Sequence, residues 1–313
     1  MKRKYSKILV TGGAGFIGSH VVDALVGRRF ETFVIDNLST GNIKNVNPNA
    51  KFFKMDLRSP NLPKLMAKIK PDAIFHLAAQ LDVRLSVKDP IEDADINILG
   101  SLNLLQAAVN SGVKKIIFSS TGGAMYPGSL RPPYSEKDPE LPISPYGIAK
   151  RTVELYLNFL RSIHGISFVA LRYANVYGPR QNSKGEAGVV AIFSEKMLKN
   201  LPIKINGLGT QTRDYVYVDD VVKANLLALE KRVSGLFNIG TAKETSVNEI
   251  FKKIKKFTKY QLPESHGPAC PGEVLRSSLN YKQATKELGW RPEVKLDDGL
   301  KRMVQWFVLK NGL

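Results

Sequence analysis

Along the chain, short apolar or β-branched runs alternate with longer stretches whose apolar residues recur every three or four positions. Lys7–Thr11, Thr32–Ile35, Ala73–Leu77, Lys115–Ser119 and Phe168–Arg172 read as strands. Helical spacing fills residues 16–28, 62–69, 92–111 and 145–163 between them. Strand, helix, strand at this rhythm predicts right-handed βαβ units and an α/β fold with a doubly wound parallel sheet over residues 1–178. After 178 the pattern loosens, with Gly178-Pro179, Asn206-Gly207 and the stretch from Pro268 to Pro271 as punctuation. A smaller C-terminal, substrate-binding domain is therefore expected over 179–313. The run Leu236–Ile239 looks like one more buried strand, so residues 214–240 are expected to return to the first domain.

Composition narrows the class. The 313 residues are 43% hydrophobic and 24% charged, which excludes a disordered, collagen-like or disulfide-framed chain. No uncharged apolar run approaches the ~20 residues that span a bilayer. Only Ile8-Leu9-Val10 follow the basic start before glycines intervene, so no signal-peptide core is expected and the cytoplasm is the expected location. The single cysteine, Cys270, excludes an internal disulfide and a cysteine-only metal cage.

Charge adds a second possibility. The net +18 is shared almost evenly between the two halves of the chain and would attract polyanions. Its densest patch, Lys252, Lys253, Lys255, Lys256 and Lys259, interleaves at helical spacing with Val247, Ile250, Phe251, Ile254 and Phe257. That pattern reads as the solvated face of an amphipathic helix, with a polyanion site as the alternative. A lysine-rich surface also fits a thermophilic source.

The first loop carries chemistry. Val10-Thr11-Gly12-Gly13-Ala14-Gly15-Phe16-Ile17-Gly18 follows the first strand and opens the first helix, the context that gives a G-x-G-x-x-G spacing meaning. One glycine makes the tight turn, another lets backbone approach a pyrophosphate, and a third lets the helix pack on the strand. The phosphates then meet the N–H groups and dipole of a helix N-terminus. This is the dinucleotide-binding signature of a Rossmann sheet. Asp36 ends the second strand, where an acid bonds a ribose diol and repels the 2′-phosphate of NADP; the expected cofactor is NAD. Asp56, after the next apolar run, either caps a turn or touches the adenine ring.

Tyr146 and Lys150, four apart at the start of a helical pattern, share one helix face. Ile116-Ile117-Phe118-Ser119-Ser120-Thr121 is a buried strand ending in hydroxyls, at the carboxyl edge where open α/β sheets bind ligands.

With these residues the chain resembles the extended short-chain dehydrogenase/reductase family, specifically its nucleotide-sugar 4-epimerases of the UDP-glucose 4-epimerase kind. The resemblance runs from about residue 6 to residue 306. Besides the glycine loop it is carried by Asp36 to Gly41, His76-Leu77-Ala78-Ala79-Gln80, Ser119 to Ala124, and Tyr146 with Lys150. Arg172 to Arg180, Arg213 to Asp220 and Leu288-Gly289-Trp290-Arg291-Pro292 complete it. It implies NAD held by Gly12, Gly15, Phe16, Ile17, Gly18, Asp36, Asn37, Asp56, Leu57, Ala78, Tyr146 and Lys150. It implies a UDP-sugar contacted by Thr121, Asn175 and Arg213, with Arg276 as a further source of charge, and no metal. In this reading Tyr146 removes the proton of the sugar's 4-hydroxyl, Lys150 holds the nicotinamide ribose and, together with the positive nicotinamide, lowers the phenol pKa, and Thr121 bonds the reacting hydroxyl. Hydride then returns to the opposite face of a 4-keto intermediate. A homodimer packing through 92–111 and 145–163 is implied; a membrane or nucleic acid is not.

Absences and departures sharpen the choice. Related 4,6-dehydratases place Asp-Glu after the hydroxyl residue and related decarboxylases a nearby glutamate, whereas Gly122 and Gly123 here cannot move a proton. The family's phosphate-clamping arginine before the late Gly-Glu is replaced by Cys270, and Asn280 stands where aspartate is common. Ser277 occupies the position of a bulky gate in some relatives, so an N-acetylated sugar is expected to fit. His76 is expected in the core, Asp219-Asp220 as helix N-caps, and Asn97 either near the nicotinamide region or on plain helix surface. Asn175 could instead form a loop, and Arg213 could pair with Asp214. A UDP-glucuronate 4-epimerase, or a non-catalytic NAD-binding protein associated with polyanions, are the alternative readings.

Overall fold

The structure is a computed structural model, describing residues 4–126, 128, 131–183, 188–269 and 274–312. Seven parallel strands form the central sheet: β1 (Lys7–Thr11), β2 (Glu31–Asp36), β3 (Lys51–Lys54), β4 (Ala73–His76), β5 (Lys115–Thr121), β6 (Ser167–Tyr173) and, later in the chain, Gly235–Ile239. Their order is Gly235–Ile239, β6, β5, β4, β1, β2, β3, so the winding reverses between β1 and β4 and opens a crevice at the carboxyl edge there. Alternation along each strand builds two cores. Ile8, Val10, Val34 and Phe75 face α1 (Phe16–Gly27) and the helix Val218–Glu230. Leu9, Phe33, Ile74 and Ile116 face α2 (Leu62–Ile69), Gly100–Asn110 and Pro145–His164.

Two elements depart from the sequence reading. β3 was not among the predicted strands; four residues, Lys51 to Lys54, with lysine at both ends make a weak edge signal, and only pairing with β2 defines it. The single helix expected over 92–111 is three pieces: α4 (Pro90–Ala94), a π-helical turn (Asp95–Leu99) and α5 (Gly100–Asn110), preceded by α3 (Val83–Lys88). Asp89 stops α3 and caps α4, its Oδ1 accepting the Glu92 N–H at 3.0 Å. α6 (Pro145–His164) starts at Ser144, whose hydroxyl accepts the Gly147 N–H, and stops at Gly165.

The C-terminal part gathers around its own core of Val190, Phe193, Ile250, Phe251, Ile254, Met303 and Phe307. Three helices supply it: α7 (Val189–Leu198), then, beyond α8 (Val218–Glu230), α9 (Val247–Thr258) and α10 (Leu296–Asn311). Short pairs rim it: β7 (Asn175–Tyr177) with β10 (Tyr215–Tyr217), β8 (Lys204–Asn206) with β13 (Ser265–Gly267), and β9 (Thr212–Arg213) with β12 (Thr245–Ser246). The remaining sheet strand, Gly235–Ile239, is β11. On α9, Lys252, Lys256 and Lys259 are exposed while Val247, Ile250, Phe251 and Ile254 are buried, the amphipathic arrangement expected.

Candidate functional site

At the switch point β1 turns at Gly12, with φ +72°. A Cβ there would lie 2.6 Å from the Ala78 nitrogen, so the turn approaches the loop after β4 only because glycine has no side chain. Gly18 does the same for α1: a Cβ on it would lie 2.8 Å from the Gly12 carbonyl carbon. Gly15 caps α1 with no side chain, and the first turn, Phe16 and Ile17 included, carries no acid. That leaves a helix N-terminus suited to an anion.

Asp36 is buried at the end of β2, and its carboxylate accepts the Ala14 N–H at 3.0 Å and the Leu38 N–H at 2.8 Å. Those bonds fix it over the glycine turn, and a carboxylate keeps further lone pairs for a diol. Asn37 donates to Asp56 at 2.9 Å, which brings these two predicted residues together. Asp56 also accepts the Arg58 backbone N–H and its guanidinium, both at 2.9 Å, so it does cap a turn. The guanidinium holds the Asp56 carboxyl well below the usual range. Leu57 is buried beside them, and the Ala78 N–H donates to the Thr11 hydroxyl at 3.3 Å. The glycine cradle, the uncapped helix end and the placed acid fit a dinucleotide.

Tyr146 and Lys150 stand on the first turns of α6 beside the end of β5. The Lys150 ammonium donates to the Ser119 carbonyl at 2.8 Å and lies 5.8 Å from the Tyr146 ring centre. Thr121 closes β5, its hydroxyl accepting the Ala124 N–H at 3.2 Å. Behind them Glu154 accepts the Ser120 hydroxyl at 2.6 Å and Arg172 at 2.9 and 2.6 Å, and Arg172 also reaches Glu140 and the Tyr126 hydroxyl. This buried network ties β5, β6 and α6 into one frame. His76 lies in the core between the Thr11 and Ser101 hydroxyls, 2.9 Å from each, and burial pushes its pKa down to about 3.

Burial first, then the Asp93 charge, pushes the Tyr146 phenol above its ordinary value, and burial pushes Lys150 down to about 8. Desolvation of the buried ring is the larger of the two effects on the phenol.

Among the expected substrate contacts, Asn175 is exposed on β7 and Arg213 half-buried on β9. Arg276 bridges to Thr212, next to Arg213, but its guanidinium forms a two-bond pair with Glu244 at 2.6 and 2.9 Å. A phosphate would compete with that carboxylate for it. Asp214 is turned away from the surface pairing weighed above: its carboxylate accepts the Thr241, Ala242 and Leu279 N–H groups. Ser277 is buried, the Asn280 N–H donates to the Tyr134 carbonyl at 2.7 Å, and Cys270 lies outside the described residues.

Two further readings change. Asp219 and Asp220 do not cap α8, whose N-cap is Tyr217 without a side-chain bond. They sit in its first turn, and Asp220 accepts the Glu293 and Val294 N–H groups, pinning the start of the segment before α10. Asn97 is buried and bonds both backbone groups of Gln80 at 2.9 Å, so it is not plain helix surface. Asp93, which also bonds Asn97, carries no motif and was not singled out from the sequence.

The family model for the NAD dependent epimerase/dehydratase family matches residues 8–240, from β1 through β11. The chain belongs to this family. Its members share the NAD dependence of the family's name, in keeping with the glycine turn and Asp36. The chain is 47% identical over 305 residues to a putative UDP-glucose 4-epimerase of Methanocaldococcus jannaschii, covering 97% of this chain and 99% of the relative. Among solved structures it resembles the UDP-glucose 4-epimerase of Thermotoga maritima with UDP-glucose, at 49% identity and TM-score 0.96, covering 97% of this chain and 99% of that one. It also resembles a UDP-N-acetylglucosamine 4-epimerase of Methanobrevibacter ruminantium in complex with UDP-N-acetylmuramic acid, at 35% identity and TM-score 0.93, covering 98% and 100%. Family members of the same fold thus differ in sugar. Among the described residues no helix is long and apolar enough to cross a membrane.

Proposed function

We propose that the protein is a nucleotide-sugar 4-epimerase that interconverts UDP-glucose and UDP-galactose in the cytoplasm. The observation that carries this reading is the Tyr146–Lys150 face of α6 set against Thr121, with only glycines following Thr121. Bound NAD supplies the hydride acceptor and a positive ring beside the phenol. Gly12, Gly15, Phe16, Ile17 and Gly18 would receive its pyrophosphate; Asp36, with Asn37, Asp56, Leu57 and Ala78, would frame its adenosine half.

Tyr146 then takes the proton of the sugar's 4-hydroxyl as that carbon gives up hydride, and returns it when hydride comes back to the other face of the 4-keto sugar. Thr121 donates to or accepts from the same oxygen, holding it near the phenol. Lys150 holds the nicotinamide ribose and keeps positive charge beside Tyr146. Asn175, Arg213 and Arg276 meet the diphosphate end. Ser277 leaves room for an N-acetyl group, so UDP-N-acetylglucosamine is proposed as a second substrate. We also propose a homodimer. Ile91 on α4, Leu99 before α5 and Leu155, Tyr156, Phe159 and Ile163 on α6 are apolar and exposed, an excess that a second copy would cover.

The test is conversion of UDP-galactose to UDP-glucose by the NAD-loaded protein beside Tyr146→Phe. Turnover by the parent and a loss of at least about a thousandfold in the variant are expected, since the variant lacks the hydroxyl that serves as the proposed base. An NAD-loaded parent that leaves UDP-galactose, UDP-glucuronate and UDP-N-acetylglucosamine all unchanged refutes the reading.

A further inference from the structure

The strongest unassigned group is the carboxylate of Asp93, on α4 where it packs against α6. Asp93 is only 2% exposed. Its Oδ1 accepts two amide donors, from Gln80 Nε2 and Asn97 Nδ2, each at 2.9 Å. The π-helical turn that follows α4 sets Asn97 four residues on from Asp93 and within reach of it, and such turns recur at functional positions. Oδ2 is buried as well and accepts no hydrogen bond among the described residues.

Two amide donors need an acceptor oxygen, not a charge. An asparagine in this place could take both bonds through its own oxygen. A buried carboxylate with one oxygen unbonded is costly, so burial pushes the Asp93 pKa up, while its two amide bonds and the Lys150 charge pull it back toward the ionised form. The groups within electrostatic reach of this corner can be named from each packed element. Lys150, Glu154 and Tyr146 come from α6 and His76 from β4; α3 brings the exposed Arg84, beside Asp82 at 3.9 Å, and the exposed Lys88, and the π-helical turn brings Asp95, already paired with Arg58 at 2.8 Å. His76 is neutral. Glu154 is already answered, because Arg172 bonds both its oxygens. Among the described residues of this corner, that leaves one buried cation, Lys150, and one buried carboxylate oxygen without a hydrogen bond, Asp93 Oδ2.

We propose that Asp93 is a positioning residue for the proton transfer, its carboxylate serving as the counter-charge that keeps the buried Lys150 an ammonium beside Tyr146. The proposal rests on the epimerase reading for its catalytic meaning, but the Asp93–Lys150 coupling stands on the chain alone. The charge acts on both members of the pair in the same direction: it favours the protonated amine and the protonated phenol. Removing it therefore lowers both pKa values together.

Asp93→Asn keeps an acceptor for Gln80 and Asn97 and deletes the charge. With the NAD-loaded enzyme and UDP-galactose, the pH profile of kcat/KM should keep its shape but move as a whole to lower pH, by about one unit or more, so that the loss relative to the parent deepens steadily from pH 7 to pH 9. A loss equal at every pH would mean that Asp93 only supports Asn97 and Gln80, and would overturn the proposal.

A second measurement needs no substrate. Urea unfolding is compared for the parent, Asp93→Asn, Lys150→Met and the double variant. The double variant should be more stable than the sum of the two single midpoint changes allows, because each single change strands the charge of the other residue. Strictly additive midpoints would remove the coupling whatever the enzyme acts upon. Should the parent fail on every UDP-sugar, the functional reading falls while this cycle still decides the pair.

Discussion

Gly122 gives the sharpest handle on why no acid follows Thr121. It follows Thr121 directly, and a Cβ built on it would lie 2.7 Å from Leu279 Cδ2 and 3.0 Å from its Cγ. Leu279 cannot retreat easily. It is 1% exposed, its N–H is held by Asp214, and the Tyr134 N–H and carbonyl grip the flanking Ser278 and Asn280. Gly123 has no heavy atom within 4 Å of the same construction. Gly122→Ala should therefore overpack this corner by about 1–3 kcal/mol, lowering the thermal midpoint on the order of 2–10 °C. Gly123→Ala should lie within about 0.5 kcal/mol of the parent. In a Leu279→Ala background, itself weakened by roughly 2–5 kcal/mol, the Gly122→Ala penalty should vanish or reverse, because the new methyl fills part of the cavity. The assay is calorimetric unfolding of the four proteins with turnover of UDP-galactose beside it. Equal midpoints for Gly122→Ala and Gly123→Ala would refute the reasoning. They would show that Leu279 yields, and that side-chain space does not keep a dehydratase-like carboxylate out of this position.

Other outcomes follow from the same geometry. Because the folded Lys150 pKa is about 8, kcat/KM should fall as pH rises through 8, approaching tenfold per unit. The linked stability runs the other way: between about 8 and the ordinary lysine value near ~10.4 the unfolded chain holds the proton that the folded chain has lost, so this group's contribution to stability rises with pH. That rise should disappear from the unfolding curves of Lys150→Met, and an unchanged slope would count against it. Gly12→Ala, which forces an alanine to φ +72° and into the Ala78 backbone, should weaken NAD retention by at least about tenfold, since left-handed backbone alone costs ~1–2 kcal/mol. Titration of the apo-protein with NAD measures it, and parent-like affinity would be the contrary result.

How far the sequence could be read depends on how local each signal is. The strands β1, β2, β4, β5 and β6 and the helices α1, α2 and α6 announce themselves because each carries its own apolar period and stop residue, such as Ser144 before α6 and Gly165 after it. β3 does not, because its definition comes from the neighbour it pairs with. The break between α4 and α5 was hidden for a different reason. The π-helical turn Asp95–Leu99 carries no residue that marks it in the sequence, yet Asn97 within it and Asp93 just before it are buried. The glycine loop, Tyr146, Lys150 and Thr121 of the proposed site stand out in the sequence since each is fixed by a backbone need or by spacing on one element. Asp93 was not. Among 28 acidic residues it differs only by what surrounds it, two amides from separate segments and a lysine from another helix. The same holds for Arg276, whose charge looked available until Glu244, 32 residues away, proved to hold it. In the site proposed here motifs locate the reacting atoms, whereas the group proposed to set their protonation state, Asp93, is brought beside them by tertiary packing and needs no motif.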